Sequence, residues 1–287
     1  MQRDYILRED YLAVKKIYKF LSSNIRQVLE IIILMITVSV PFFLNLQELF
    51  KEYLDRNPLT PDNFIWHFAI KGGKYIAAAI LFIIVLCSIR KINQEYIMNS
   101  KRVYHNYSYA WYWLCAKVLG IKKCNLVLVP IYMQFKLVIN GTFHDYPLDE
   151  TEYPVVENEP DSKVTQINWD NHNSEINLIL EDTYVISERQ IPKVKRRLKT
   201  IKVSRNNGDD RSGHFSQVFI NKITNCVRGL EGGSIINVFA TTNPMNTVHI
   251  AKRAFGSGER GNVKHLYVFQ QGNSKKRIFK EKGKKIF

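Results

Sequence analysis

The chain has 287 residues, a formal net charge of +15 and a pI of about 9.6. This length allows one ordinary domain with accessories or two small domains, and the charge favours a polyanionic partner such as a nucleotide, a nucleic acid or anionic lipid. The four cysteines form no C-x-x-C pair and have no histidine at ligand spacing. We therefore expect no metal, no cofactor and no disulfide framework.

Two apolar runs near the N-terminus predict membrane-spanning helices. Ile31–Gln47 carries no charge over 17 residues, which corresponds to about 26 Å of helix and matches the hydrocarbon thickness of a bilayer. With its apolar flank, the first span is predicted at residues 28–47. Tyr75–Ile89 predicts a shorter second span at residues 74–90. The alternative is a pair of buried core helices.

Basic residues are more frequent before the first span and after the second than in the loop between them. By the positive-inside rule, both termini are cytoplasmic and residues 1–99 comprise a short cytosolic segment and the two spans. Within the first span, Glu30, Thr37 and Pro41 share one helical face, with Asn45 about 60° away. Such a stripe is a candidate pore lining, unless Glu30 and Asn45 simply lie at the two membrane interfaces.

Residues 100–124 form an aromatic juxtamembrane segment, with six aromatic residues between Tyr104 and Trp113. These rings suit either a membrane interface or the cover of a soluble core, and the sequence leaves both open. The last residues, 274–287, form a basic tail that we expect to be frayed or to lie on anionic lipid.

Residues 125–273 predict a cytosolic α/β domain. Asn125–Ile139 suggests strands, and the acidic, proline-rich residues 145–162 predict a loop. Further strands are predicted at Ile176–Tyr184, Leu198–Arg205, Ile235–Phe239 and Lys264–Gln271, and helices at His214–Leu230 and Met245–Phe255. The alternation of strands and helices indicates a largely parallel sheet.

Charge is unevenly spread over this domain. Residues 140–188 hold one Lys or Arg against twelve Asp or Glu, whereas residues 189–287 hold 22 against five. The imbalance indicates either a basic ligand-binding face or mutual attraction between two parts of one fold. The basic run Lys193–Arg197 is typical of a solvated or lipid-facing segment rather than of a specific site.

A candidate ligand site lies where strands end, because ligands of open α/β sheets bind beyond the carboxyl ends of the strands. The expected ligand-binding residues are Thr183, Tyr184, Arg205, Arg211, Thr241, Thr242, Asn243 and Met245. The hydroxyl and amide groups suit a ribose or base, the tyrosine suits stacking, and the arginines suit phosphate. The alternatives are helix-capping residues and a solvated loop.

Motifs for catalysis are weak. Gly256–Gly261 reads G-x-G-x-x-G, but it follows a helix and precedes a strand, which is the wrong order for a dinucleotide-binding loop. Glu181 and Asp182 have no identifiable nucleophile as a partner, and hydrolase and Walker motifs are absent from the sequence. We therefore do not expect an enzyme.

The strand and helix pattern of about residues 176–270, with Asn237–Pro244 as its turn, resembles one half of a SAVED domain, which is related to CARF sensors. These Rossmann-like modules of bacterial antiphage systems bind cyclic oligonucleotides. The resemblance implies two transmembrane helices followed by a half-SAVED sensor, as in membrane-disrupting effectors of CBASS-type or type III CRISPR signalling. SAVED domains contain two such halves, so a second chain would have to complete the site.

The resulting hypothesis is an effector of the bacterial inner membrane that binds a cyclic nucleotide, forms a homo-oligomer and permeabilises the bilayer. Three alternatives remain: a membrane-tethered nucleic-acid-binding protein, a membrane-anchored nucleotide-processing enzyme, and a purely structural assembly protein.

Overall fold

The computed structural model describes residues 14–15, 17–43, 51–56, 58–148, 151–156, 159, 161–170, 173–205, 213–256, 261–272 and 274–287. The chain divides into two compact units, which are described separately. Unit 1 comprises Met1–Tyr96 with Leu114–Lys122, and unit 2 comprises Ile97–Trp113 with Lys123–Phe287.

Unit 1 is built on two long apolar helices that pack against each other, α1 (Ile25–Phe43) and α3 (Phe64–Ile92), with the short α2 (Lys51–Arg56) between them in sequence. Ile25–Phe43 and Gly72–Ile92 are long and apolar enough to cross a membrane. Only 22% and 11% of their apolar windows are buried, which is far too little for core helices of a soluble protein. Both predicted helices are present, and their low burial argues against the alternative of buried core helices.

A polar clamp of Arg26, Glu30 and Asn93 joins the N-terminal part of α1 to the residue that follows α3. Arg26 donates from Nε to Glu30 Oε1 at 3.0 Å and from Nη2 to Asn93 Oδ1 at 2.8 Å. Asn93 Nδ2 donates to Glu30 Oε2 at 2.8 Å, and the Arg26 guanidinium lies 4.2 Å from the ring centre of Tyr96.

Unit 2 begins with a short parallel pair, β1 (Ile97–Met98) and β2 (Lys123–Cys124), and contains the first part of α4 (Tyr109–Lys117). Tyr112 is fully buried and its ring packs edge-on against Phe143. This aromatic residue is therefore a core residue, one of the two roles that the sequence left open.

The prediction of strands over Asn125–Ile139 is wrong, because residues 125–130 form turns and irregular structure and Ile131–Ile139 is helix α5. Pro130 precedes the helix, where its fixed φ and missing N–H fit a helix start, and most side chains of α5 are buried. An apolar run of nine residues with little periodicity does not distinguish a buried helix from a buried strand.

The core of unit 2 is a mixed six-stranded sheet with the order β3-β5-β4-β6-β7-β8. Its strands are β3 (Lys163–Ile167), β4 (Glu175–Glu181), β5 (Lys199–Ser204), β6 (Ser234–Ala240), β7 (Val263–Phe269) and β8 (Lys284–Lys285). The four central strands are mutually parallel and both edge strands are antiparallel to their neighbours.

The connections lie on opposite faces of this sheet. The chain moves outward from β4 to β5 and then back past β4 to β6, and right-handed crossovers in opposite directions occupy opposite faces. Helices α6 (Gln217–Arg228) and α7 (Pro244–Phe255) pack together on one face. The β4–β5 connection, with 3-10 turns at Glu188–Gln190 and Lys193–Lys195, lies on the other.

The C-terminal segment is part of the fold, so the expectation of a frayed tail is wrong. Residues of β8 pair with β7, and Phe279 is 1% exposed within an apolar cluster that includes Phe239 and Phe269. Gly283 passes so close to Phe269 that a Cβ there would lie 2.6 Å from its ring. The segment is basic overall, but a few of its apolar side chains are buried and hold it in place.

Candidate ligand site at the strand ends

The reversal of strand order between β4 and β6 brings the predicted residues together. The two strands are aligned up to Leu180 and Ala240, so the residues that follow them meet at one edge of the sheet. Thr183 donates from its backbone N and its Oγ1 to the carbonyl oxygen of Thr241, at 3.3 and 2.6 Å. Crevices at such reversals are the usual ligand sites of open parallel sheets.

Asp182 occupies the centre of this edge. Its Oδ1 lies 3.0 Å from Nη1 of Arg205, and both side chains are fully buried. Its Oδ2 accepts hydrogen bonds from the backbone N of Asn243 at 3.0 Å and from Nδ2 of Asn246 at 2.9 Å. Burial raises the pKa of Asp182, although Arg205 and the amide donors favour its charged form.

The carbonyl oxygen of His214 completes the cluster, which we call the strand-end knot: Asp182, Arg205, Asn243, Asn246 and this carbonyl. The oxygen accepts from Arg205 Nη1 at 3.0 Å, from Asn243 Nδ2 at 3.0 Å and from Asn246 Nδ2 at 3.1 Å. The knot thereby joins the ends of β4 and β5 to the start of α7.

The turn after β6 uses its polar side chains internally. Asn243 caps α7, because its Oδ1 accepts from the backbone N of Asn246 at 2.8 Å, and Pro244 opens the helix. The Oγ1 atoms of Thr242 and Thr247 are 2.7 Å apart. Thr241, Thr242, Asn243 and Arg205 are all buried, and Asn243 has the capping role that the sequence allowed.

Three of the predicted residues, which we call the rim, are more accessible: Thr183, Tyr184 and Met245 are each half-buried. The Tyr184 hydroxyl hydrogen-bonds to Gln271 Oε1, and the guanidinium of Arg277 lies 4.6 Å from the centre of the Tyr184 ring. The C-terminal segment thus covers one face of the tyrosine. Arg211 lies outside the described residues.

Sequence reasoning missed Asn246, His214 and Arg277. Asn246 carried a weak signal, since a fully buried asparagine interrupts the inward face of α7, three residues after the cap. The other two had none, because His214 acts through its backbone and Arg277 belongs to the segment predicted as a tail.

The candidate pore residues of α1 lie on the face that packs within unit 1. Thr37 and Pro41 are buried, and Thr37 Oγ1 donates to the carbonyl of Ile33 at 2.7 Å. Glu30 belongs to the polar clamp. Asn45 lies outside the described residues.

Among the residues that the structure describes, no three His, Cys, Asp or Glu side chains are placed to hold a metal ion.

Comparisons with known proteins identify the family of this chain. A search of curated proteins finds no match to this chain. A family model described as the SMODS- and ubiquitin-system-associated 2TM effector domain matches residues 13–287, which includes nearly all of both units. The chain therefore belongs to this family of two-transmembrane effector domains and is a membrane protein.

Proposed function

We propose that this effector is an antiphage protein of the bacterial inner membrane, activated when a cyclic nucleotide second messenger binds unit 2. Activation would produce a homo-oligomer that permeabilises the bilayer. Membership of the two-transmembrane effector family supports the membrane part of the proposal. The reversal of strand order beside Thr183 and Tyr184 is the observation that carries the ligand part.

The strand-end knot gives this site a rigid base. Its buried side chains hydrogen-bond to one another and to backbone groups, so they would position the rim rather than contact the ligand themselves. A preorganised rim avoids the free-energy cost of ordering the site on binding. Direct contacts would come from Thr183, Tyr184 and Met245, with Arg211 as a further phosphate ligand.

Tyr184 is the expected base-stacking residue. Arg277 now lies over its ring, and a nucleobase would take that place because base–aromatic stacking contributes about 1–3 kcal/mol per base. The displaced guanidinium would then be free to pair with a phosphate, which it does in bidentate geometry. Ligand binding would in this way move the C-terminal segment that carries Gln271 and Arg277.

Assembly would link this movement to the membrane. A ligand shifts an equilibrium only if it binds one state better than the other, so the assembled chains must complete the site. The resemblance to half of a SAVED domain supports a second chain in that role. The outward apolar faces of α1 and α3 would contact lipid or neighbouring copies, and the ligand would be released chemically unchanged.

The test is thermal unfolding of the full chain in lipid nanodiscs with cyclic di-, tri- and tetranucleotides. A ligand that binds only folded protein stabilises it by about 2.7 kcal/mol at 100 times its Kd. We expect one or two ligands to stabilise the wild type and Tyr184→Phe, and Tyr184→Ala to lose most of this response. Stabilisation that persists in Tyr184→Ala would show that the ligand does not bind at the strand ends.

A second measurement addresses the membrane. Dye release from vesicles containing the full chain should depend on the active nucleotide. It should persist in Tyr184→Phe and be largely lost in Tyr184→Ala. Leakage that ignores every nucleotide would contradict the proposal. Salt-sensitive binding of DNA or RNA would favour a nucleic-acid tether instead, and conversion of the nucleotide would favour an enzyme.

A further inference from the structure

A cavity lies away from the strand ends, on the sheet face that carries the β4–β5 connection. Its volume is about 620 Å³, within the range of small-molecule sites. Its apolar floor includes Ile179, Ile186 and Ile191, and the residues of the strand-end knot do not line it.

The wall of this cavity is strongly basic. Four basic residues line it, namely Lys193, Arg196, Arg197 and Lys202, together with the acidic residue Glu188. Lys202 is partly neutralised, since its Nζ lies 2.7 Å from Oε1 of Glu181. The excess of positive charge remains over an apolar floor, which is the surface that an organic anion requires.

The basic segment is fixed in place and is not a loose charge run. The carbonyl of Lys195 accepts from Asn177 Nδ2 at 2.7 Å, and Lys195 also forms an ion pair with Glu175. The carbonyl of Arg196 accepts from Asn168 Nδ2 at 3.0 Å. The segment Lys193–Arg197, which the sequence indicated as a solvated or lipid-facing run, is thus held by the sheet at several points, while the side chains of Lys193 and Arg197 are exposed.

Arg196 is oriented by its own side chain as well. Its Nε donates to the carbonyl of Ile191 at 2.9 Å and its Nη2 to the carbonyl of Arg189 at 3.1 Å. Neither bond neutralises the guanidinium charge. A cation held by neutral acceptors at the edge of a cavity is preorganised for an anion.

A polar row across the sheet supports the same wall. Thr200, Asn177, Asn237 and Tyr267 are aligned in register on four neighbouring strands. Asn177 Nδ2 donates to Thr200 Oγ1 at 3.1 Å, and both residues line the cavity. Buried amides in the middle of a sheet are costly unless hydrogen-bonded, and these bonds anchor the basic segment.

We propose that this cavity binds a phosphate ester, with the phosphate against Lys193, Arg196 and Arg197 and the organic part over the isoleucine floor. The site is separate from the strand ends and goes beyond the proposed activation site. A soluble nucleotide and the phosphodiester headgroup of an anionic lipid both have this chemistry, and the test separates them.

The test measures binding of adenosine 5′-monophosphate and of pyrophosphate to the full chain in phosphatidylcholine nanodiscs. Lys193→Gln removes one phosphate partner from an exposed position, so we expect about tenfold weaker binding, equivalent to about 1.4 kcal/mol. Glu188→Gln removes the acidic lining residue and should tighten binding. Lys252→Gln removes the same charge from an exposed position on α7, on the other face of the sheet, and should change nothing.

The lipid arm repeats the titration in nanodiscs that contain phosphatidylglycerol. Unchanged binding of adenosine monophosphate there would assign the cavity to a soluble ester. Competition by phosphatidylglycerol that Lys193→Gln relieves would assign it to a lipid headgroup. The proposal is overturned if neither probe binds and anionic lipid has no effect, or if Lys193→Gln and Lys252→Gln behave alike. Tyr184→Ala should leave this binding intact, so failure here is distinguishable from failure of the activation site.

Discussion

The two units contain ion pairs of equal length in very different surroundings. In unit 2, Asp182 and Arg205 are 3.0 Å apart and both side chains are 0% exposed. In unit 1, Arg26 and Glu30 are also 3.0 Å apart, but they are 38% and 12% exposed. Since the separations agree, burial rather than distance sets the contribution of each pair to stability.

The difference in burial also explains which groups must hydrogen-bond to each pair. Neither charge of the buried pair can turn to water, so Asn243 and Asn246 must satisfy Asp182 from within the protein. The more exposed Arg26 can be solvated if its partner is lost. Breaking the buried pair should therefore cost more than breaking the clamp.

The largest expected effect comes from Arg205→Met. It leaves the Asp182 carboxyl buried without its cation, and breaking a buried pair from one side costs about 3–5 kcal/mol. We expect a large fall in the thermal unfolding midpoint of the full chain in detergent, followed by near-ultraviolet circular dichroism.

The double variant Asp182→Asn/Arg205→Met is the matched control. It removes both charges and keeps an amide beside Asn246, so it should recover part of the lost stability. Equal midpoints for the single and the double variant would show that packing, rather than the unpaired charge, dominates the knot.

Arg26→Gln should have an intermediate effect. It removes the bonds to Glu30 and Asn93 and the contact with Tyr96, and we expect a loss of roughly 1–2 kcal/mol because Arg26 is partly exposed. Arg26→Lys should lose less stability, since it keeps the charge, although it lacks the guanidinium that donates from two nitrogens to Glu30 and Asn93. Protease sensitivity of the α1–α3 hairpin in detergent is the second readout. A loss as large as that of Arg205→Met would contradict the role given to burial.

Much of this architecture could be predicted from local sequence signals. Long uncharged runs predicted α1 and the membrane part of α3. The apolar run before the Asn243–Pro244 turn predicted β6, the turn itself predicted the start of α7, and the 3.6-residue period predicted α6.

The errors arise where local signals are ambiguous or where partners are distant in sequence. The apolar residues of α5 suit a strand equally well, and Phe279 and Ile286 anchor a segment that otherwise looks like a solvated tail. The pairing of Asp182 with Arg205 depends on how β4 and β5 align in the sheet. The same alignment makes Lys193–Arg197 a cavity wall, which composition alone does not reveal.

The pair of Glu175 and Lys195 should give a smaller, pH-dependent effect. Partial burial by itself raises the pKa of Glu175, but hydrogen bonds from Lys195 and Asn237 and the Lys195 charge outweigh it, so the pKa lies below its usual range. Because the folded-state pKa is lowered, this stabilisation is present above the ordinary glutamate pKa of about 4.3 and is lost as the pH falls through the folded value.

Glu175→Gln isolates this contribution. At neutral pH it should cost about 1 kcal/mol or less, as expected for a pair near the surface. Between neutral pH and the acid range, the difference in unfolding midpoint between wild type and variant should shrink. A difference that is constant with pH would show that the charge of Glu175 is not responsible.

The smallest effect is expected for the exposed pair on α2, where Glu52 and Arg56 are 77% and 75% exposed. An i,i+4 pair of this kind contributes about 0.3–0.5 kcal/mol, and salt screens it. Arg56→Gln should therefore shift the midpoint in detergent only slightly, and less still at high salt. A loss comparable to that of Arg26→Gln would mean that α2 is buried against lipid or another copy of the chain, and repeating the measurement in nanodiscs and at increasing protein concentration would separate these two causes.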